Sequence, residues 1–259
     1  MPHQWPSGPE TILKVKELSG DPETTILGFS GGKDALAAWL VLCPHFDHIV
    51  PVYKYLVPDL EFIEEGLCYF ERAFQTPIIR IPHDSLYRML RNFVFQPPGR
   101  WEVIQDHRLP KLDRQRSHEP IIKELGLDPG TWTAIGTRRD DSPARRMHFA
   151  VHGPINHKAR TFCPVWDMTK AQLVALIRAS GVKQPAEYRI FGRSFDGLDF
   201  RFLWGIKHNF PRDYRRILDW FPLAQLEILR YEYAQKRKAR HEHDSPGAAD
   251  APGCHRHGR

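Results

Sequence analysis

The stretch that decides the fold reads Ile26-Leu27-Gly28-Phe29-Ser30-Gly31-Gly32-Lys33-Asp34-Ala35-Leu36-Ala37-Ala38-Trp39-Leu40. An apolar run ends in two glycines, and an apolar pattern with helical spacing begins at once. This order predicts a strand, a tight loop and the start of a helix. The first amides of a helix have no partner inside it and its dipole is positive there, so such a corner suits phosphate. Gly31 and Gly32 also permit positive φ and a close approach of the backbone to an anion.

Three side chains of this turn add chemistry to it. Ser30 offers a hydroxyl donor, Lys33 a positive charge and Asp34 a carboxylate. A carboxylate beside a phosphate is repelled unless a divalent cation lies between them, and Mg²⁺ binds oxygens of both kinds. We therefore predict a phosphate site in which Asp34 holds Mg²⁺ through a bound nucleotide.

The composition of the chain limits which classes of protein it can belong to. The chain has 259 residues with 41% hydrophobic and 26% charged residues, which is typical of an ordinary soluble protein. Four distant cysteines without a Cys-x-x-Cys pair argue against a disulfide framework or a zinc ribbon. The net charge of +6 suits a nucleotide or nucleic acid, and equally a mildly basic surface without such a partner. Without a long apolar run or a signal-peptide core near the start, we expect a cytoplasmic protein with no membrane partner.

The chain divides into four predicted segments: an extension over residues 1–22, an α/β nucleotide-binding domain over 23–198, a helical segment over 199–240 and a disordered tail over 241–259. Within the domain, strands are expected at 24–29, 47–53, 77–81, 131–135 and 161–165. Helices are expected at 34–42, 60–74, 85–93, 119–125, 142–150 and 169–179. This alternation predicts a five-stranded parallel sheet flanked by helices, Rossmann-like, with an all-helical C-terminal extension.

A helix cap and a long loop are also predicted. Asp84 is expected to cap the helix over 85–93. Residues 95–116 contain Pro97-Pro98-Gly99 and a mixed charged and aromatic run, so they are predicted to form a long functional loop.

A second informative stretch follows the fourth predicted strand: Ile135-Gly136-Thr137-Arg138-Arg139-Asp140-Asp141-Ser142-Pro143-Ala144-Arg145-Arg146. Ser142 and Pro143 form a good helix start. Arginine matches phosphate and sulfate oxygens with two parallel hydrogen bonds, so Arg138, Arg139 and Arg145 are candidate anion ligands. Ligands of open α/β sheets lie outside the carboxyl ends of the strands, so this loop and the glycine turn are expected to meet in one cleft.

Ser30-Gly31-Gly32-Lys33-Asp34 resembles the signature of the PP-loop ATP pyrophosphatases, which share the adenine nucleotide alpha hydrolase-like fold with the phosphoadenylylsulfate (PAPS) reductases. The signature usually closes with Ser, where this chain has Ala35. The stretch from Gly136 is similar to the Gly-x-Arg-x-x-Glu-Ser segment of the PAPS reductases, with Asp141 where Glu is usual. The segment over 163–170 resembles a third family motif, in which Trp166 is expected to pack and Asp167 to cap a helix.

The resemblance implies an adenine-nucleotide-binding enzyme. ATP would bind with Mg²⁺, an acceptor oxygen would attack the α-phosphorus and pyrophosphate would leave. Such adenylation supports sulfur or nitrogen transfer, often in nucleic acid modification. The catalytic residues it implies are Lys33, Asp34 and Arg138, and the nucleotide-binding residues are Ser30, Gly31, Gly32, Lys33, Asp34, Gly136, Arg138, Arg139 and Arg145, with Mg²⁺ on Asp34.

Alternatives stay open from the sequence alone. A reductase of PAPS or adenylylsulfate would use Cys254, although the reductase motif Glu-Cys-Gly-x-His is replaced here by Gly253-Cys254-His255. A non-catalytic nucleotide-binding or interaction module would keep the fold without the reaction. The basic stretch over 212–216 and the run ending at Arg240 suit a nucleic acid backbone or a solvated helix face. Arg193 and Ser194 lie in a segment that closes over the nucleotide in the family, and a homodimer is left open.

Overall fold

Residues 5–20, 22–111 and 119–244 are described by a computed structural model. Its strands are Thr24–Gly28 (β1), His48–Tyr55 (β2), Ile79–Pro82 (β3), Thr133–Ile135 (β4), Ile155–Asn156 (β5) and Thr161–Phe162 (β6). Its helices are Gly8–Leu18 (α1), Lys33–Leu42 (α2), Glu61–Phe74 (α3), Asp84–Arg91 (α4), Trp101–Asp106 (α5), Glu119–Glu124 (α6), Pro143–His152 (α7), Lys170–Ser180 (α8), Ala186–Phe191 (α9), Phe200–Asn209 (α10), Pro211–Trp220 (α11) and Gln225–Asp244 (α12).

The described strands form a six-stranded sheet in the order β3-β2-β1-β4-β6-β5. Every neighbouring pair is parallel except β5–β6, which is antiparallel. The predicted fold class is therefore confirmed, and the predicted count of five strands describes its parallel part. The prediction missed β5 because two residues are too short for a period-2 pattern to register.

Pro51 lies inside β2 although proline cannot donate to a sheet. The amide of His48 donates to Glu23 O and the carbonyl of Val52 accepts from Phe29 N, so both residues direct their backbone groups toward β1. Backbone groups of successive strand residues point to opposite neighbours, and the Pro51 nitrogen therefore points toward β3. β3 begins its pairing only at Ile79, opposite Val52. The missing donor therefore falls just outside the paired register, and β2 continues past it to Tyr55.

Two apolar layers cover the two faces of the sheet. Ile26 and Val52 pack with Ile121 of α6 in the smaller layer, and Leu27 packs on the opposite face. The larger layer also takes in buried side chains of α10 and α11, such as Phe202. The C-terminal helices thus share their core with the sheet, and the division into domains stays a prediction.

Four local expectations differ from the structure. The side chain that caps α4 is His83, whose Nδ1 accepts a hydrogen bond from Ser85 N at 2.9 Å, and Asp84 is the first residue of the helix instead. Part of the expected loop over 95–116 is helical, because α5 follows a short 3₁₀ turn at Pro98–Arg100. A further helix that was not predicted, α9, precedes the segment that contains Arg193 and Ser194. Helix α12 runs to Asp244, beyond the predicted start of the tail.

The remainder of the predicted tail, residues 245–259, lies outside the described residues. No helix in the described part of the chain is both long and apolar enough to span a membrane.

Asp167 caps a helix as expected, but the helix is α1. Its Oδ1 accepts a hydrogen bond from Gly8 N at 3.1 Å, and the Nε1 of Trp166 donates to Pro6 O at 2.9 Å. The following helix α8 is capped by Thr169, which accepts from Gln172 N at 3.3 Å. The segment over 163–170 is therefore architecture that fastens the N-terminal helix to the sheet.

Candidate functional site

The glycine turn joins the carboxyl end of β1 to α2. Gly31 has a φ of 72°, in the left-handed region that favours glycine, and Gly32 is the N-cap of α2. The Oγ of Ser30 accepts from Gly32 N at 3.4 Å. Gly32 brings no capping side chain to α2, and the first amides of a helix have no partner within the helix itself.

The turn and the second stretch meet at Asp34. The Nε of Arg138 donates to Asp34 Oδ1 at 2.5 Å, and the Nζ of Lys33 donates to Asp34 Oδ2 at 2.8 Å. The structure thus brings Lys33, Asp34 and Arg138 together in one site at the carboxyl edge of the sheet. Both oxygens of Asp34 are engaged by a cation.

Arg138 is held by hydrogen bonds to several protein groups. Its Nη2 donates to Asp141 Oδ1 at 2.8 Å and its Nη1 to Met168 O at 3.1 Å. Its backbone amide donates to Asp141 Oδ2 at 2.9 Å, and its side chain is only 5% exposed. Three of the five N–H groups of the guanidinium are thus bonded to protein oxygens. Its present contacts make it the group that fixes Asp34.

The charges of this cluster balance. Lys33 and Arg138 are positive, and Asp34 and Asp141 are negative. Burial lowers the pKa of Lys33, but the Asp34 carboxylate and Tyr188 outweigh burial, so the pKa is raised overall. Lys33 is therefore charged at neutral pH, and Tyr188 of α9 is a neighbour that the sequence did not reveal.

Gly136 is close to the turn for a steric reason. A Cβ added there would lie 2.7 Å from the backbone carbonyl of Asp34 and 2.8 Å from Ala35 N. Real Cβ contacts are not that short, so only glycine lets the end of β4 approach the first turn of α2 this closely.

Arg139 and Arg145 lie outside this cluster. The Arg139 amide donates to Trp166 O at 2.9 Å, and its guanidinium lies 5.6 Å from the centre of the Trp166 ring. Arg145 is exposed on the first turn of α7, where its amide donates to Ser142 Oγ at 3.2 Å. Of the three predicted arginines, the structure therefore brings only Arg138 into contact with the glycine-turn residues.

A cavity of about 240 Å³ opens beside the turn at the ends of β1, β2 and β3. Its lining includes Gly28, Phe29, Ser30, Val52, Tyr53, Lys54, Leu56, His83, Ser85, Ser194, Phe195 and Asp196. Burial lowers the pKa of Lys54, with partial compensation from Asp84. Lys54 and His83 come from two separate segments and belong to no motif, so the sequence did not point to them, whereas Ser194 lies in the segment that the resemblance expects over the nucleotide. A second cavity of about 730 Å³ borders the same start of α4, with Pro82, Leu86 and Tyr87 in its wall.

Cys163 is poorly suited to nucleophilic chemistry. Burial raises the pKa of Cys163 to about 12, although Arg145 and the Thr137 amide work in the opposite direction. The thiol is therefore protonated at neutral pH and a poor nucleophile. Cys254, on which the reductase alternative depends, lies outside the described residues.

The basic stretch over 212–216 is only partly a free surface. Asp213 is 2% exposed, and its carboxylate accepts from Glu61 N at 2.7 Å and Phe62 N at 3.1 Å. Arg216 donates to the carbonyl of Asp59. Arg212 and Arg215 are exposed, so two cations of this stretch remain for a solvent-facing role.

The fold and this site define an α/β protein whose glycine turn opens on the carboxyl edge of a mostly parallel sheet. No family model matches the chain, and no curated protein matches it. The chain is similar to the solved structure of the U34-tRNA thiolase NcsA from Methanococcus maripaludis with its [4Fe-4S] cluster, at 16% identity and a TM-score of 0.45, over 83% of this chain and 78% of that chain. It is also similar to a PAPS reductase from Candida auris in a phosphate complex, at 15% identity and a TM-score of 0.46, over 74% and 87%. Likeness at this level assigns neither a ligand nor a reaction to the chain.

Proposed function

We propose that the chain is an enzyme that binds ATP with Mg²⁺ at the glycine turn and transfers the adenylyl group to an acceptor. The observation that carries the proposal is the contact between Asp34 and Arg138. It joins the glycine turn and the second stretch, each of which carries a separate match to the PP-loop and PAPS reductase signatures.

A magnesium ion fits these residues if the phosphates of the nucleotide supply most of its ligands. Within the described residues, no group of three or more His, Cys, Asp or Glu side chains lies close enough together to hold a metal ion. Mg²⁺ is commonly held by one or two carboxylates together with substrate phosphates, and Asp34 supplies one carboxylate at the turn. When bound, the ion would neutralise charge that develops on the pyrophosphate.

The balanced charges of this cluster suit the exchange of one pairing for another when a charged ligand binds. If Lys33 turns from Asp34 to a phosphate oxygen, Asp34 gains a free oxygen for the cation. Arg138 keeps Asp34 in place through this exchange because Asp141 and the Met168 carbonyl hold the guanidinium. We therefore give Arg138 a positioning role, with Lys33 and Asp34 as the groups that touch the ligand.

The reaction that follows is a displacement at phosphorus. An acceptor oxygen forms a bond to the α-phosphorus, the bond from that phosphorus to the bridging oxygen breaks, and pyrophosphate leaves with the electron pair. Positioned donors and charge supply most of the catalysis in such transfers. The turn amides would bind the departing pyrophosphate, and the neighbouring cavity of about 730 Å³ offers room for an acceptor.

Calorimetric titration with ATP, PAPS and adenylylsulfate, each with and without Mg²⁺, tests the proposal. We expect ATP with Mg²⁺ to bind the wild type, and Lys33→Ala with Asp34→Ala to remove binding. Lys14→Ala with Glu17→Ala is the matched control, because these two exposed residues of α1 carry one positive and one negative charge outside the glycine turn. Unchanged binding in the Lys33/Asp34 variant would refute the site.

A pyrophosphate-release assay with candidate acceptors then separates the alternatives. Release in the presence of an acceptor supports adenylation, and binding without release in any mixture favours a nucleotide-binding module. Tight binding of PAPS and thioredoxin-dependent sulfite release, lost in Cys254→Ser, would establish the reductase instead. We further propose that the adenylated acceptor then receives sulfur or nitrogen. A nucleic acid is one candidate for this acceptor.

A further inference from the structure

A third cavity, of about 740 Å³, lies between the edge strand β3, the start of α4 and α6. Its walls include Ile79 and Ile81 of β3 and Ile121 and Leu125 of α6. The three isoleucines belong to the smaller apolar layer of the sheet. A molecule bound in this cavity would therefore bury hydrocarbon against apolar side chains.

Lys54 brings a charge to this apolar cavity. Val52 pairs with Gly28 at the end of β1 and packs in the smaller layer, and Lys54 lies two residues further along β2, on the same face of the sheet. The half-buried Lys54 lines both this cavity and the cavity of about 240 Å³ beside the glycine turn. It therefore lies where a ligand of one cavity would meet a ligand of the other.

The cavity of about 730 Å³ has no such link to the turn. It shares Pro82 and Tyr87 with the cavity of about 740 Å³, but its described lining has no residue in common with the cavity beside the turn. Of the two large cavities, the one that contains Lys54 is therefore the better placed for an acceptor.

The ammonium of Lys54 suits an anionic ligand group. Asp84 attracts its charge, and burial acts against that charge. An ammonium has three N–H donors, so one of them can bond a ligand oxygen while the others keep protein acceptors. The other charged residues of the lining are exposed and balance in sign: Lys111, Glu119, Lys123 and Glu124. An apolar body with one anionic end therefore matches both the walls and the inner cation.

We propose that the acceptor is a small carboxylic acid with an apolar body, bound in the cavity of about 740 Å³ with its carboxylate on Lys54. This inference rests on the proposed function, because it names the acceptor of that reaction. One carboxylate oxygen forms a bond to the α-phosphorus, the bond to the bridging oxygen breaks, and pyrophosphate leaves with the electron pair. The product is a mixed anhydride of the acid and adenylate. A carboxylic acid is ionised at neutral pH, so this step requires no proton transfer.

Calorimetric titration without nucleotide tests the site. The probes are benzoate, octanoate and 3-phenylpropionate, with 3-phenylpropionamide as the neutral match of the last. We expect at least one acid to bind the wild type, and Lys54→Met to lower its affinity about tenfold, the usual loss for a hydrogen bond between charged groups. The amide should bind both proteins alike. Lys207→Met, at an exposed position of α10, is the control for a lysine outside the cavity.

Three results would overturn the assignment. A wild type that binds none of the acids would remove the ligand class. Equal affinities for 3-phenylpropionate and its amide in the wild type would show that the cavity does not select a charge. An acid affinity in Lys54→Met within about twofold of the wild type would remove Lys54 from the site.

A second pair of variants keeps the test open should Lys54→Met fail to fold. Leu125 is 45% exposed at the wall of the cavity, so it accepts a polar side chain without disturbing the core. Leu125→Glu places a carboxylate there, and it should weaken the acids more than Leu125→Gln does while the two variants bind the amide alike. Equal acid affinities in the two variants would contradict the site.

Pyrophosphate release separates this inference from the proposed function. A wild type that does not bind ATP with Mg²⁺ would overturn the proposed function and, with it, the role of the acid as acceptor. Release that is stimulated by an acid and lost in Lys54→Met supports the inference. Release that is stimulated by a nucleic acid and by none of the acids would overturn the acceptor class and leave adenylation standing.

Discussion

At the scale of single residues, the site is organised by ion pairs between its own side chains. Arg138 lies at the centre, with Asp34 on one side and Asp141 on the other. A buried cation held by two carboxylates is costly to leave half paired. The exact placement of Asp34, and with it the expected cation site, therefore depends on Asp141.

Asp141→Asn tests this dependence. Loss of one charge partner of a buried guanidinium should lower the free energy of unfolding by about 1–3 kcal/mol. Asp140→Asn is the control, because its carboxylate is exposed and lies 3.8 Å from Arg139. Chemical denaturation of the two variants measures the difference, and equal stabilities would contradict the assigned role of Asp141.

Gly136→Ala tests the close approach of β4 to α2. The new methyl group would meet the Asp34 backbone at 2.7 Å, and forcing such an overlap apart costs about 1–3 kcal/mol. Gly99→Ala is the matched control, since a Cβ there meets nothing within 4 Å. Thermal unfolding should separate the two, and a Gly136 variant as stable as the Gly99 variant would remove the steric explanation.

At the scale of elements, side chains tie helices to strands across the fold. Arg80 of β3 donates to Glu71 and Glu64 of α3, and Ile78 N donates to Glu71 Oε1 at 2.8 Å. This network fastens an edge strand of the sheet to the helix that precedes it. Asp213 of α11 joins two helices instead, because its carboxylate accepts hydrogen bonds from the first amides of α3.

Glu71 makes stability depend on acid pH. Hydrogen bonds from Arg80 lower its pKa, burial acts against them, and the Ile78 amide adds to the lowering. The stabilisation is present above the ordinary pKa of 4.5 and is lost as pH falls below it. Stability of Glu71→Gln should therefore change less between pH 5 and pH 3 (about the carboxylate range) than that of the wild type. The exposed Glu65→Gln is the control, and identical pH profiles for wild type and Glu71→Gln would contradict the mechanism.

Asp213→Ala should loosen the junction between the C-terminal helices and α3. It removes two hydrogen bonds to helix amides, and loss of such a cap costs about 0.5–2 kcal/mol. Asp219→Ala changes an exposed residue of the same helix and should have little effect. Denaturation curves compare the two, and a harmless Asp213→Ala would show that the cap is unimportant.

At the scale of the whole molecule, the sequence predicted what is periodic or local. The glycine turn, the alternation of strands and helices, and the convergence of two loops at one edge all follow from patterns within short windows. The antiparallel strand β5 was too short to show a pattern. His83 as a cap was not foreseen, because an imidazole nitrogen accepting a backbone hydrogen bond is an unusual N-cap.

The parts of the site that the sequence did not predict are tertiary. Tyr188 interacts with Lys33 from a segment whose Phe195 packs in the core of the sheet together with the C-terminal helices. The guanidinium of Arg138 is held by a hydrogen bond to the Met168 carbonyl, which comes from another segment. Contacts between such distant segments cannot be predicted from residue spacing or composition.

The central claim is that Asp34 exchanges Lys33 for a cation carried by the nucleotide. The most direct test is the affinity for ATP in excess Mg²⁺ and in EDTA, measured for wild type and Asp34→Asn. We expect Mg²⁺ to strengthen ATP binding by about tenfold or more in the wild type, and this ratio to fall close to one in Asp34→Asn. An Asp34→Asn variant that keeps the full magnesium dependence would contradict it.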